Sequence, residues 1–164
     1  SDNPEYLAAR AAGKPLISRA DYLGYLMIAY RHRIGVAGMH GKSTCTAMCA
    51  QIFLSATDAT VLCGAELPLL AGSTCCIGKE QENFVFEACE YMDSFLDFNP
   101  TLAVVLNVGM DHPDYFQNLE QIRTSFLRYA RRTGKVGTVL YNADDVESFV
   151  WKRLPGKIGF SCGV

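Results

Sequence analysis

Two periods of apolar residues alternate along this chain, and their alternation sets the fold class. Short, partly β-branched runs read as strands: Arg33 to Ala37, Val61 to Gly64, Phe84 to Phe86, Thr101 to Val108, Gly137 to Asn142 and Lys157 to Phe160. Between them lie stretches with helical spacing. Ser18 with Asp21 resembles a capping box and predicts a helix through Tyr22, Leu23, Leu26 and Met27 to about Tyr30. Further helices are predicted from the Gly41-Lys42-Ser43 turn to about Ser55, from Leu119 to Arg132 and from Val146 to Leu154, with a short one over Pro4 to Ala12. Residues 65–83, rich in Gly, Pro and small polar side chains, read as irregular or β-edge.

Strands alternating with helices predict βαβ units: an α/β domain with a mostly parallel sheet, right-handed crossovers and helices on both faces. The run from Thr101 is almost continuously apolar, as a strand covered on both sides requires. In such sheets ligands gather at the carboxyl ends of the strands. Three polar stretches fall there: Gly38-Met39-His40-Gly41-Lys42-Ser43-Thr44, then Glu87 and Glu90, then Asn107, Asp111 and His112.

The first of these has the strand–loop–helix context of a phosphate-binding loop, with glycines at 35, 38 and 41. It departs from G-x-x-x-x-G-K-[ST], because Val36 stands five residues before Gly41. Lys42 can reach β/γ-phosphates and the Ser43 hydroxyl can ligate magnesium. Magnesium takes one or two carboxylates beside phosphate oxygens, which suits Glu90; the other reading of Glu90 as an isolated residue is a cap or a solvated charge. Glu87 reads as either a supporting partner of that site or a paired strand-end carboxylate. His112 reads as a metal or phosphate contact, Asp111 as its orienting partner or a turn cap, and His40 as a phosphate contact or a packed side chain. Tyr and Phe positions read most simply as core.

Composition narrows the class. The 164 residues suffice for one domain; 49% are hydrophobic and 20% charged, which is globular. A net charge of −2 gives no electrostatic case for nucleic acid or an anionic membrane surface. Arg123, Arg128, Arg131, Arg132 and Lys135 read as the wet face of a helix. No apolar run approaches a membrane span, and no basic–apolar leader pattern opens the chain. Seven cysteines, odd in number and without metal-ligand spacing, read as reduced, mostly buried thiols and point to the cytoplasm.

Four blocks in order now carry a resemblance: Gly38 to Thr44, Glu87-Ala88-Cys89-Glu90-Tyr91, Asn107 to His112, and Asn142-Ala143-Asp144-Asp145. Together they resemble the central ATP-binding domain of the Mur ligases, over about residues 33–145. His40 and the Glu-Ala-Cys-Glu-Tyr block are similar to the branch joining L-alanine to UDP-N-acetylmuramate; the murein tripeptide ligases share much of the pattern. The resemblance implies amide-bond formation through an acyl phosphate, with ATP and Mg2+. It implies that Lys42 stabilises the transferring phosphoryl group, that Ser43 and Glu90 hold one magnesium, and that His112 ligates a second. Met39 and Ser43 stand where the family usually has Thr, and Gly109 where close relatives often carry Glu. The resemblance further implies that 1–17 is the tail of a preceding UDP-sugar-binding domain or linker, and that 18–164 is a truncated part of the central domain. The adenine-contacting His-Asn…Asn segment and the amino-acid-binding domain would then lie outside this chain, leaving it inactive alone; the alternative is a stand-alone nucleotide-binding module without ligase activity.

Overall fold

The computed structural model of the chain describes residues 2–147, 151, 154 and 156–161. Among these described residues four α-helices and seven strands follow in order: α1 (Pro4–Ala11), α2 (Arg19–Met27), β1 (His32–Ala37), α3 (Lys42–Ala56), β2 (Thr60–Leu67), β3 (Ser73–Cys76), β4 (Asn83–Glu87), β5 (Leu102–Val105), α4 (Leu119–Arg131), β6 (Thr138–Asn142) and β7 (Lys157–Phe160). They build one sheet in the order β3-β2-β4-β1-β5-β6-β7, parallel except for the β2–β3 pair.

Side-chain alternation along the strands separates two cores. Ile34 and Val36 of β1 with Val85 of β4 pack against Ala50 and Phe53 of α3 on one face. Ala37, Phe84 and Phe86 point to the other, where Phe126 and Tyr129 of α4 and Met27 of α2 complete the larger core. Phe95 stacks on Tyr129 with centroids 4.7 Å apart and meets Phe126 edge-on at 5.3 Å. Helices thus cover both faces, as the sequence pattern predicts.

Local chemistry accounts for the helix starts. Asn3, Ser18 and Asn118 each accept a backbone N–H from the first turn of α1, α2 and α4. At Ser18 the expected box takes a variant form: Asp21 accepts from the Ser18 hydroxyl at 2.8 Å instead of reaching the backbone.

The structure corrects two expectations, the end of α2 and the burial of the cysteines, and bears out the β-edge reading within 65–83. Helix α2 stops at Met27, short of Tyr30, whose hydroxyl shares a 2.9 Å hydrogen bond with Thr60. Strand β2 continues to Leu67, and within 65–83 the chain turns through Ala71 and Gly72 into β3, which pairs antiparallel as an edge. The cysteines are less buried than their apolar neighbours suggest. Among the described six only Cys63 is buried; Cys75 and Cys89 are exposed on the edge strand and a strand-end loop. The helix expected over Val146 to Leu154 lies for the most part outside the described residues.

Candidate functional site

Strand β1 lies between β4 and β5, so the three polar stretches that follow these strands emerge side by side. Hydrogen bonds carry the ladder past the strand ends: Ala88 N–H donates to Val36 O at 2.8 Å and Leu106 N–H to Ala37 O at 3.0 Å. The loop 38–41, Glu90 and Asn107 are therefore placed by the rigid centre of the sheet.

Gly41 is the N-cap of α3 at φ 80°, in the left-handed region that glycine adopts without penalty. It brings no capping side chain, so the first-turn amides of α3 face outward with the helix dipole behind them. Asn107 fixes the other half of the loop. Its Oδ1 accepts from His40 N–H at 2.9 Å, its Nδ2 donates to His40 O at 3.0 Å, and its backbone O accepts from Met39 N–H at 3.4 Å. The Met39 and His40 amides are thus engaged by Asn107. The amides available to an anion are those at the start of α3, from Gly41 through Lys42 and Ser43 to Thr44. The Met39 side chain is buried, whereas His40 and Thr44 are exposed.

Lys42 folds back over the loop. Its ammonium donates to Gly38 O at 2.7 Å, to Met39 O at 3.3 Å and to Glu90 Oε1 at 3.0 Å. Glu90 is 0% exposed, and His112 Nε2 lies 3.3 Å from the same Oε1. Its other oxygen, Oε2, is buried with no hydrogen-bond partner. A buried, half-satisfied carboxylate is costly in a fold without a function for it. Asp111 joins this cluster: one ligand atom each from Glu90, Asp111 and His112 lies within 4.8 Å of the others. Asp111 Oδ1 accepts from His112 N–H at 2.7 Å, leaving Oδ2 4.0 Å from His112 Nε2. Two carboxylates and an imidazole, with one oxygen lacking a partner, form a donor set that fits a divalent cation such as Mg2+.

The structure brings Lys42, Glu90, Asp111 and His112 together, with Ser43 next along α3. It does not bring Glu87 into the group. That carboxylate turns toward β2, where Oε2 accepts from Gly64 N–H at 2.8 Å. Asn107 belongs to the loop's support. Asp145, from the fourth block, holds the start of the 108–112 loop by accepting from Val108 N–H at 2.8 Å. Sequence reasoning missed Tyr91 and Asp114. Tyr91 is no core aromatic: its ring sits 4.8 Å from that of His112, and its hydroxyl donates to Asp114 Oδ2 at 2.6 Å. That bond raises the phenol's pKa and lowers the carboxyl's below its usual range. The only signal was position, one residue after Glu90 and two after His112.

A family model described as the Mur ligase middle domain matches residues 36–161. The chain belongs to the Mur ligase family. It is 44% identical over 144 residues to the UDP-N-acetylmuramate–L-alanine ligase of Lachnospira eligens, a match covering 87% of this chain and 31% of that protein. The chain therefore spans about a third of the length of that relative. Among solved Mur ligase structures, the UDP-N-acetylmuramate–alanine ligase of Thermotoga maritima superposes with a TM-score of 0.82 at 26% identity, covering 99% of this chain and 36% of that one. The UDP-N-acetylmuramate:L-alanyl-γ-D-glutamyl-meso-diaminopimelate ligase from Neisseria gives 0.79 at 26% identity, over 95% of this chain and 53% of the other. No helix among the described residues is long and apolar enough to cross a membrane.

Proposed function

We propose that this chain is the ATP-binding part of a longer ligase that joins L-alanine to UDP-N-acetylmuramate through an acyl phosphate. The observation carrying this reading is Glu90, fully buried between Lys42 and His112 at the mouth of the phosphate loop. The proposed assignment makes residues 18–164 the phosphate site and leaves the UDP-sugar and amino-acid sites to other parts of the enzyme. ATP and a UDP-sugar as substrates suit a cytoplasmic reaction.

In the first step the muramate carboxylate oxygen bonds to the γ-phosphorus as the bond to ADP breaks. In the second, the alanine nitrogen bonds to the acyl carbon, phosphate leaves and the nitrogen loses a proton. The chain's own contribution is positioning and charge neutralisation. The α3 amides from Gly41 to Thr44 bind phosphate oxygens, while Lys42 exchanges its loop carbonyls for β/γ-oxygens. Asn107 keeps the loop from collapsing into the space the phosphates need. Glu90, Asp111 and His112, with the Ser43 hydroxyl, are the groups to hold magnesium, which neutralises phosphate charge when bound.

Magnesium-ATP should stabilise the chain. At a hundredfold excess over Kd, binding to the native state adds about 2.7 kcal/mol. That corresponds to a rise of roughly 5–10 °C in Tm for a domain of this size. Lys42→Ala should remove the rise. A thermal-shift titration in which Mg-ATP moves neither protein, or both equally, would sink the phosphate-site reading.

For the full-length ligase, ADP release should require UDP-N-acetylmuramate and L-alanine together. Release supported by the tripeptide L-alanyl-γ-D-glutamyl-meso-diaminopimelate and not by L-alanine would favour the specificity named for the Neisseria neighbour.

A further inference from the structure

We propose that Tyr91 is a positioning residue for the His112 imidazole, tying the strand end that carries Glu90 to the turn that carries His112. The proposal rests on the divalent-cation reading of the Glu90–Asp111–His112 cluster.

Three contacts place Tyr91 in this role. Its ring lies against the imidazole at 4.8 Å and 45°. Its hydroxyl is tied to Asp114, two residues beyond His112, at 2.6 Å. Tyr115, on the same turn, meets the Tyr91 ring edge-on at 6.1 Å. The ring is therefore held at both ends while remaining 36% exposed.

The backbone on both sides is held in an uncommon conformation. His112 has φ 49°, and Met92 and Asp93, directly after Tyr91, have φ 53° and 57°. Non-glycine residues persist in this region when the surroundings over-determine them. Here Asp93 N–H donates to Glu90 O at 3.0 Å, and the Asp93 carboxylate is gripped by Ser125 and Arg128 of α4. Helix α4 thus fixes the turn that projects Tyr91 over His112.

The physical need is clear from the imidazole itself. Rotation about the terminal torsion of His is broad, and the His112 side chain is 33% exposed. Without a neighbour on its face, Nε2 would sample positions away from Glu90 Oε1. Groups behind a metal ligand commonly set its orientation, and their loss costs roughly 10–100-fold in metal affinity.

The test uses Mn2+ as the probe, titrated into the full chain with saturating ADP and followed by electron paramagnetic resonance. Tyr91→Ala should weaken Mn2+ binding by about tenfold or more. Tyr91→Phe, which keeps the ring and loses the Asp114 bond, should fall between Ala and wild type, as should Asp114→Asn. Metal-free ADP affinity should be unchanged in all three, because Lys42 and the loop are untouched. Unaltered Mn2+ affinity in Tyr91→Ala, or a parallel loss of metal-free ADP binding, overturns the proposal. Should Tyr91→Ala fail to fold, wild-type Mn2+ affinity in both Tyr91→Phe and Asp114→Asn overturns it equally. A wild-type chain that binds ADP and no Mn2+ overturns the cation reading itself, and the role of Tyr91 with it.

Discussion

Glu90→Gln is expected to lower UDP-N-acetylmuramate-dependent ADP release in the full-length ligase by on the order of 10²–10³-fold, the loss typical of removing one preorganised electrostatic group from a transition state. The substitution keeps the shape of a side chain that is 0% exposed. The amide oxygen can still accept from Lys42. What is lost is the negative charge that offsets Lys42 and provides a hard ligand beside Asp111 and His112. Stability of the nucleotide-free protein should change far less. The contact with Lys42 is weakened and not lost, and the weakening is offset because a neutral amide costs less to bury than a carboxylate. The check is a steady-state assay for ADP beside a thermal melt of the same protein. Wild-type turnover in Glu90→Gln would remove Glu90 from the phosphoryl-transfer site, and unfolding would make it a structural residue.

The second large effect is on the fold. Gly35→Ala should destabilise the chain by about 3 kcal/mol, the upper end of ordinary overpacking. Strand β1 is the centre of the sheet, and a methyl group at Gly35 would run into the Tyr129 hydroxyl and lie 2.7 and 2.8 Å from Phe86 ring atoms. Phe86 and Tyr129 are both 0% exposed and cannot swing away. For a domain of this size that is a fall of roughly 6–12 °C in Tm. The Tyr129 hydroxyl supplies its own control, since it is buried with no hydrogen-bond partner. Tyr129→Phe alone should be neutral or slightly stabilising, because it removes an unsatisfied buried polar group. Combined with Gly35→Ala it should recover about half of the loss, the Phe86 contact remaining; such coupling is expected of residues in contact. Strict additivity in the double mutant, measured by thermal or urea denaturation, would show that the clash lies elsewhere.

These two residues differ in how far the sequence alone marks them. Glu90 stood out because an apolar run ended in carboxylates three residues apart, the pattern of a strand delivering polar groups to the rim of a sheet. Gly35 was visible only as one glycine of a loop. That it makes room for Tyr129, ninety-four residues later in the chain, follows from α4 packing on the sheet face opposite α3. Glu87 stood open between two readings, and the fold gives the paired strand-end carboxylate. It shares a strand with the site, but β-strand alternation and the neighbouring β2 turn it to Gly64. The exposed thiols of Cys75 and Cys89 depart from the expectation of mostly buried cysteines, because local hydrophobicity says nothing about whether a residue falls on an edge strand or in a strand-end loop.

What the sequence determined by itself was the periodicity of apolar positions, and with it the α/β class, most helix and strand positions, and the order of the phosphate loop, the Glu90 block and the His112 block. Those features depend on neighbours within a few residues, where side-chain direction follows from backbone geometry. What only the tertiary structure decided was strand order. Placing β1 between β4 and β5 put Lys42 3.0 Å and His112 3.3 Å from one buried carboxylate oxygen. It also set Asn107 against the loop and Tyr91 against His112. Such contacts join residues from about twenty to nearly seventy positions apart, and no local spacing encodes them. They arise because a continuous sheet stacks its strand ends into a single rim.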